Sequence, residues 1–300
     1  MEKDEQFEVP GEYKFFWRGK IITGPKPYAF IIVIILINTL SILEISFPWV
    51  YYFQKGNPAA LILSLILVIV VNTSLLLTSL TEPGIIPSVP TPNIDALRDN
   101  FVVMNSSIVR LKYCYTWNII RPPRSVHCDQ WDVCIEKMDH HCPYLGWCIG
   151  KRNYLYFITF IFSVTVFSVL GTCLFIAYIP DSLSEKSFGD SMKNSPLTIP
   201  WIIVGLFFSL FLMLLCIYHT KLLIQGRTTH EDIKYEEYKI RPFERLSIFK
   251  NIQMGLCNPW QKSKISQQKL FIESPFEYPL KKRGTEELKC IRRSVSQFII

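Results

Sequence analysis

The chain has 300 residues, 49% of them hydrophobic and 19% charged, with a formal net charge of +7. That apolar content excludes an ordinary soluble domain and a disordered chain. The positive charge suits an anionic membrane surface or an anionic cosubstrate, and nucleic acid is excluded as a partner because no basic stripe carries interleaved aromatics.

The chain opens MEKDEQFE, acidic and without an apolar core, so no cleavable signal is expected and the first apolar run acts as the targeting signal. Four stretches are almost free of charge: Tyr28 to Phe47 (with Glu44 near its end), Ala59 to Leu80, Tyr154 to Ile179 and Ile199 to Tyr218. A hydrocarbon core of roughly 30 Å takes about 20 helical residues to cross. A helix also satisfies its own backbone hydrogen bonds in lipid. The sequence therefore predicts an all-α integral membrane protein with four transmembrane helices. Buried helices of a soluble core would be shorter and keep a polar stripe.

Basic residues favour the cytosolic side. Lys3, Lys14, Arg18, Lys20 and Lys26 precede the first run, eight basic residues lie between Thr81 and Asn153, and sixteen follow from Lys221. The two other loops hold only Lys55, Lys186 and Lys193. The expected organisation is thus a cytosolic segment over 1–27, two spans over 28–80, a small cytosolic cysteine-rich domain over 81–153, two spans over 154–220 and a cytosolic region over 221–300.

The central loop begins TEPGIIPSVPTP, turn and extended chain by its Pro and Gly content. Beyond residue 108 a repeat emerges. Cys114, Trp117, His127 and Cys134 recur fourteen residues later as Cys128, Trp131, His141 and Cys148. With a cysteine at each tryptophan, both sets would read as Cys3His zinc sites. Three readings stand: zinc held by three protein ligands plus water or a carboxylate (Asp129, Asp132); metal lost and indoles filling its space; or one site of each kind. Cytosolic cysteines are reduced, so the cluster points to metal or catalysis rather than disulfides.

His140 and Cys142 are left over from both sets, and Cys142 starts no third repeat, since Leu145 and Leu155 stand where Trp and His would recur. A spare cysteine near a spare histidine, with Asp139 before it, is the layout of an activated nucleophile. The thiolate attacks, His140 takes its proton, and Asp139 holds the imidazole tautomer. The bland reading is an ordinary buried cysteine. Cys142 stands twelve residues before the third span, at the bilayer surface, where thioester chemistry on a fatty acyl chain fits. Each buried methylene contributes about 0.8 kcal/mol. Phosphates of a carrier such as coenzyme A would meet Arg121 or Arg124, or Lys151 and Arg152, although these residues also fit plain positive-inside bias.

RPPRSVHC followed by VCIEKMDHHCPYLGWCIGKRNY resembles the cysteine-rich domain of the DHHC protein S-acyltransferases (palmitoyltransferases). TEPG resembles the family's Asp-Pro-Gly motif, with Glu82 for Asp. Thr228-Thr-His-Glu231 matches the TTxE motif, and RPFERLSIFKNIQMGLCNPW resembles the C-terminal motif whose Asn, here Asn251, packs back on the catalytic region. The resemblance covers roughly residues 13 to 260. RPPR, GKRNY and the KN-x5-CNP ending are similar to the branch that includes the fungal Ras palmitoyltransferase. The resemblance implies a two-step reaction, in which palmitoyl-CoA acylates Cys142 and the acyl group passes to a cysteine of a cytosolic or membrane-associated substrate protein. It carries the catalytic positions onto Asp139, His140 and Cys142, the aspartate-binding threonine onto Thr229, and a zinc-binding histidine onto His141. It also implies the endomembrane system as the location and an accessory subunit as a further partner. Trp117 and Trp131 at zinc cysteines depart from the family pattern, as does Gly146-Trp147, where an Asn commonly precedes the last cysteine. The rival reading is a membrane scaffold of the same fold without catalysis. A transporter is disfavoured because no apolar run carries a functional charge pair.

Overall fold

The computed structural model describes residues 14–16, 21–24, 26, 28–88, 101–104, 107–185, 198–234, 247–257 and 264. The basic C-terminal tail with Cys290 and most of the 1–27 segment lie outside them.

Helix α1, Tyr28–Glu44, is followed without a break by a π-helical turn, Ile45–Trp49, and by α2, Val50–Gln54. The long helices are α3, Ala59–Leu80, α4, Tyr154–Glu185, and α5, Thr198–Gln225. The described residues also form two short helices, α6, Thr229–Ile233, and α7, Ile248–Leu256. Among the described residues three helices, α3, α4 and α5, are long and apolar enough to cross a membrane, whereas α1 has only 17 residues. The first expected span is therefore not one regular helix. Pro48 has no N–H to give to Glu44, so the i→i−4 ladder cannot continue and the chain widens to a π turn.

The outer face of α5 presents Ile203, Phe207, Phe211, Leu214 and Ile217, each well exposed. In water such a stripe would drive association; against lipid chains it costs nothing. Between helices some of the contacts are polar or made by small residues. Asn38 and Asn72 pair reciprocally across α1 and α3, at 2.8 and 3.2 Å. Ser168 and Thr172 of α4 bond Ser209 of α5. Glu44 is buried against Gly171 of α4, where a Cβ would overlap its carboxylate.

The segment between α3 and α4 is built of two-stranded antiparallel hairpins. They are β3–β4 (Phe101–Met104, Ser107–Arg110), β5–β6 (Tyr113–Cys114, Ile119–Ile120), β7–β8 (Val126–Cys128, Val133–Ile135) and β9–β10 (His140–Cys142, Trp147–Ile149). A further hairpin, β1–β2 (Lys14–Phe16, Ile21–Thr23), precedes α1. The last three hairpins of the cysteine-rich segment turn through left-handed residues Asn118, Asp132 and Gly146, spaced by fourteen. The backbone repeat thus runs a third time, and Cys142 occupies the place of Cys114 and Cys128. The expectation that Cys142 begins no repeat holds only for side chains: the third hairpin keeps the turn and has lost the ligands that would follow.

Trp117, Trp131 and Trp147 join Ile85, Ile86, Val133 and Ile135 in the core of this domain. The TEPG segment ties that core to α3. Glu82 accepts from the N–H groups of Gly84 and Ile85 at 2.7 and 2.8 Å and pairs with Arg152. Ile86 and Glu136 then exchange backbone bonds with Cys134 and Gly84.

Candidate active site and metal centres

Side chains alternate along a strand. On β9 this sends His140 and Cys142 to one face and His141 to the other. Pairing with β10 sets Trp147 opposite Cys142 and Cys148 opposite His141. One face thus carries the spare pair and the other a ligand pair. Cys142 is 8% exposed and packs with Leu75 of α3, Tyr154, Phe157 and Ile158 of α4, and Leu223 of α5. Its sulfur lies over the helical bundle, at the boundary between the cysteine-rich domain and the membrane helices.

Asp139 is 1% exposed and accepts three hydrogen bonds, from His140 Nδ1 at 2.7 Å, Thr229 Oγ1 at 2.8 Å and Thr229 N at 2.9 Å. Burial pulls its pKa up, but the donors and the His140 charge outweigh it and hold the carboxyl below the usual range. Burial also opposes charge on His140, yet its bond to Asp139 and the proximity of Cys142 push its pKa up to about 9. With Nδ1 committed to Asp139, Nε2 is the nitrogen left for the Cys142 sulfur.

Thr229 reaches Asp139 because the chain reverses sharply after α5. Gly226, at φ +67°, ends α5 in a Schellman motif, with Arg227 N bonded to Leu222 O and Gly226 N to Leu223 O. Thr228 then caps α6 in a reciprocal box with Glu231. Arg124 holds this turn from the other side. It grips both Glu231 oxygens at 2.6 Å and donates to Gly226 O at 2.8 Å. The expected phosphate-binding role of Arg124 is therefore replaced by a structural one, since its guanidinium is buried against Glu231. Lys151 and Arg152 are likewise paired, with Glu136 and Glu82. Arg121 differs, because its Nε is buried without a partner among the described residues.

Removing one member of a buried ion pair costs about 3 kcal/mol or more. Arg124→Ala is expected to lower the thermal unfolding midpoint and slow any chemistry that needs Asp139. Arg124→Lys should not restore it, because the bidentate grip is lost; circular dichroism melts and a labelling assay check both.

Asn251 of α7 donates to Ile224 O at 2.8 Å, satisfying one of the carbonyls that α5 leaves open at its end. Gly226 gives it room, since a Cβ there would press on Asn251 Oδ1. The sequence reading missed Asn153, although it lies within GKRNY. Fully buried, it donates to Thr78 O of α3 and Cys148 O of β10 and accepts from Gly150 N. It welds the cysteine-rich domain to the bundle. His219, also missed, is a buried histidine of α5 close to the site.

Each ligand set converges. Cys114 and Cys134 lie 3.5 and 3.6 Å from His127 Nδ1. Cys128 and Cys148 lie 3.7 and 3.4 Å from His141 Nδ1, and their sulfurs are 3.4 Å apart. Zn–S of about 2.3 Å and Zn–N of about 2.0 Å in a tetrahedron put sulfur and nitrogen roughly 3.5 Å apart. Three vertices of each site therefore fit the ion. No protein donor stands at the fourth among the described residues. Trp117 is fully buried with its Nε1 donating to Asp132 O at 2.8 Å, and the Trp131 ring lies tilted, with its centroid 4.9 Å from that of His141 and its Nε1 without a partner among the described residues. Asp129 and Asp132 do not supply the missing ligand. They lie 3.6 and 3.4 Å from His127 Nε2, across the ring from the sulfurs, where a carboxylate orients a ligating imidazole. Within each pair one thiol is acidified: the neighbouring Cys134 pulls Cys114 down to about 5 and Cys148 pulls Cys128 down to about 4, both against burial and both helped by backbone N–H groups of the knuckle turn.

A family model of the DHHC palmitoyltransferases matches residues 107–236. The chain is 35% identical to mouse palmitoyltransferase ZDHHC14 over 287 residues, covering 86% of this chain and 58% of that one. It is 31% identical to human ZDHHC18 over 301 residues, 92% of this chain and 77% of that one. It is also 31% identical to zebrafish ZDHHC9 over 289 residues, 89% and 75% of the two chains. A membrane-embedded helical protein with a cysteine-rich domain is thus the class defined by fold and site. Within that class, the chain belongs to the DHHC palmitoyltransferase family. It spans less than two thirds of the ZDHHC14 relatives.

Proposed function

We propose that this chain is a protein S-acyltransferase that moves a palmitoyl group from palmitoyl-CoA to a cysteine of a substrate protein through an acyl-enzyme at Cys142. The reading is carried by one observation: His140, oriented by the buried Asp139, shares one face of β9 with a cysteine that packs among membrane helices. His140 Nε2 takes the Cys142 proton, and the thiolate attacks the thioester carbonyl. The coenzyme A thiolate leaves and recovers the proton. The substrate cysteine then attacks the new thioester, and its proton passes through His140 to the departing Cys142 sulfur. The acyl chain is taken up from the bilayer side, and Arg121 is the residue proposed for a coenzyme A phosphate.

Four crossings belong to this reading. The helical run through α1, the π turn and α2 meets both ends of the neighbouring structure. Lys26 and Ala29 lie against Gly146, while Tyr51 packs on Tyr178 at 5.0 Å and Tyr52 bonds Asp181 at 3.1 Å. Positive-inside bias then sets both termini and the cysteine-rich domain in the cytosol.

Zinc, where bound, would contribute folding energy through the Cys114/His127/Cys134 and Cys128/His141/Cys148 sets. Trp117→Cys with Trp131→Cys restores a fourth donor at each. The double variant is expected to purify with at least as much zinc per chain as wild type and to hold it more tightly against a chelator; a double variant that binds no zinc by elemental analysis would contradict the three-vertex fit.

The test of function is incubation of purified protein with labelled palmitoyl-CoA. Label should appear on the peptide containing Cys142 and be released by neutral hydroxylamine. Folded protein that acquires no label overturns the reading and favours the scaffold.

A further inference from the structure

His219 is 2% exposed on α5, and no step above uses it. Its Nδ1 lies 3.3 Å from the hydroxyl of Tyr154, the first residue of α4. Its ring meets Phe157 edge-on, with centroids 5.1 Å apart at 74°. Phe157 in turn meets His140 edge-on, at 5.3 Å and 65°. The two imidazoles are 6.3 Å apart. A column of rings thus runs from α5 to the imidazole beside Cys142.

The surroundings argue against a space-filling role. Leu75, Ile158, Ile161 and Cys216 make this layer apolar. Burying an imidazole and a phenol here costs more than burying aliphatic groups of the same volume, unless the two bond each other. They do, across two helices. Edge-to-face contacts are directional, so a fixed His219 fixes the tilt of Phe157, and Phe157 fixes that of His140.

We propose that His219, bonded to Tyr154, is a positioning residue for acyl transfer that holds Phe157 edge-on to His140 and sets the plane in which Nε2 meets the Cys142 sulfur. The inference rests on the acyl-enzyme reading. A hydrogen bond that aligns reacting groups acts on the chemical step rather than on donor binding.

The experiment measures single-turnover labelling of the full chain by palmitoyl-CoA. Variants are His219→Phe, which keeps a ring and loses the bond, Tyr154→Phe, which loses only a hydroxyl, the double variant, and His219→Gln, which keeps a bonding group. His219→Phe and Tyr154→Phe should each slow labelling at saturating donor by about tenfold, the size of one lost hydrogen bond. The half-saturating donor concentration should stay within about twofold. The double variant should be no slower than either single variant, since one interaction is lost in all three, and His219→Gln should recover part of the rate. Wild-type rates in both single variants overturn the proposal, as do an effect confined to half-saturation and additive losses. Should His219→Phe fail to fold, the milder Tyr154→Phe decides by the same two readings. A wild type that takes no label sinks the acyl-enzyme reading itself, a result distinct from any difference among variants.

Discussion

Cys142→Ser abolishes hydroxylamine-sensitive labelling by palmitoyl-CoA and leaves the fold intact. Loss of the nucleophile from a triad costs on the order of 10⁶ in kcat, far below the detection limit of a labelling assay. Serine nearly matches cysteine in volume, so Trp147 across the hairpin and the helices below keep their contacts. Chemistry fails for a different reason. His140 sits near a group that a thiol can fill with a sulfur anion, whereas a hydroxyl is far less acidic and would give an ester where the second step needs a thioester leaving group. The cysteines of the two ligand sets cannot substitute. Cys114, Cys128, Cys134 and Cys148 are buried around His127 and His141. Label persisting on Cys142→Ser at the wild-type level would place the acyl group elsewhere and dismiss Cys142 as nucleophile.

The three long spans were legible in the sequence because apolar runs of that length have one stable form in lipid. The interruption in the first run depended on Pro48, whose effect on the helix is local and whose neighbours are as apolar as the rest. Glu44 marked that region, but its partner Gly171 lies on another helix and no spacing rule connects them. The fourteen-residue repeat was visible where side chains repeat. In the third hairpin only the backbone repeats: Asn118, Asp132 and Gly146 share a left-handed φ through three different residue types. Cys142 thus holds the hairpin position of Cys114 and Cys128, a relation that side-chain spacing hides.

Asp139, His140 and Cys142 could be picked out because they were surplus to the ligand sets. Thr229, ninety residues away, came only from resemblance, and the structure supplies its physical reason in the two bonds it gives Asp139. Arg124 was misread because an unpaired arginine and a paired one look alike in a sequence; its partner Glu231 stands 107 residues on. His219 falls just beyond an apolar run and carries no motif. Its significance lies in Tyr154 and Phe157, which reach it from another helix.

Asp139→Asn should slow labelling of Cys142 by about 10³–10⁴-fold, the scale seen when the orienting acid of a triad becomes an amide. The geometry shows why. A carboxylate accepts only, and all three groups facing Asp139 are donors. An asparagine must turn its NH2 toward one oxygen position or the other. At Oδ1 it would meet the Thr229 backbone N–H, which cannot reverse. At Oδ2 it meets the Thr229 hydroxyl, which can rotate, and His140 Nδ1, which can accept only by changing tautomer. The second placement costs less in folding, and it leaves the Nε2 proton pointing at the Cys142 sulfur with no site to receive the thiol proton. The fold survives while the base is lost, so labelling should fall far more than the unfolding midpoint. Thr229→Val should do less, about 10- to 100-fold, because it deletes one bond to a charged group, worth roughly 1.5–3 kcal/mol, and keeps the backbone donor. Equal rates for Asp139→Asn and wild type would mean that Asp139 merely ties α6 to the start of β9 and leaves the imidazole to orient itself.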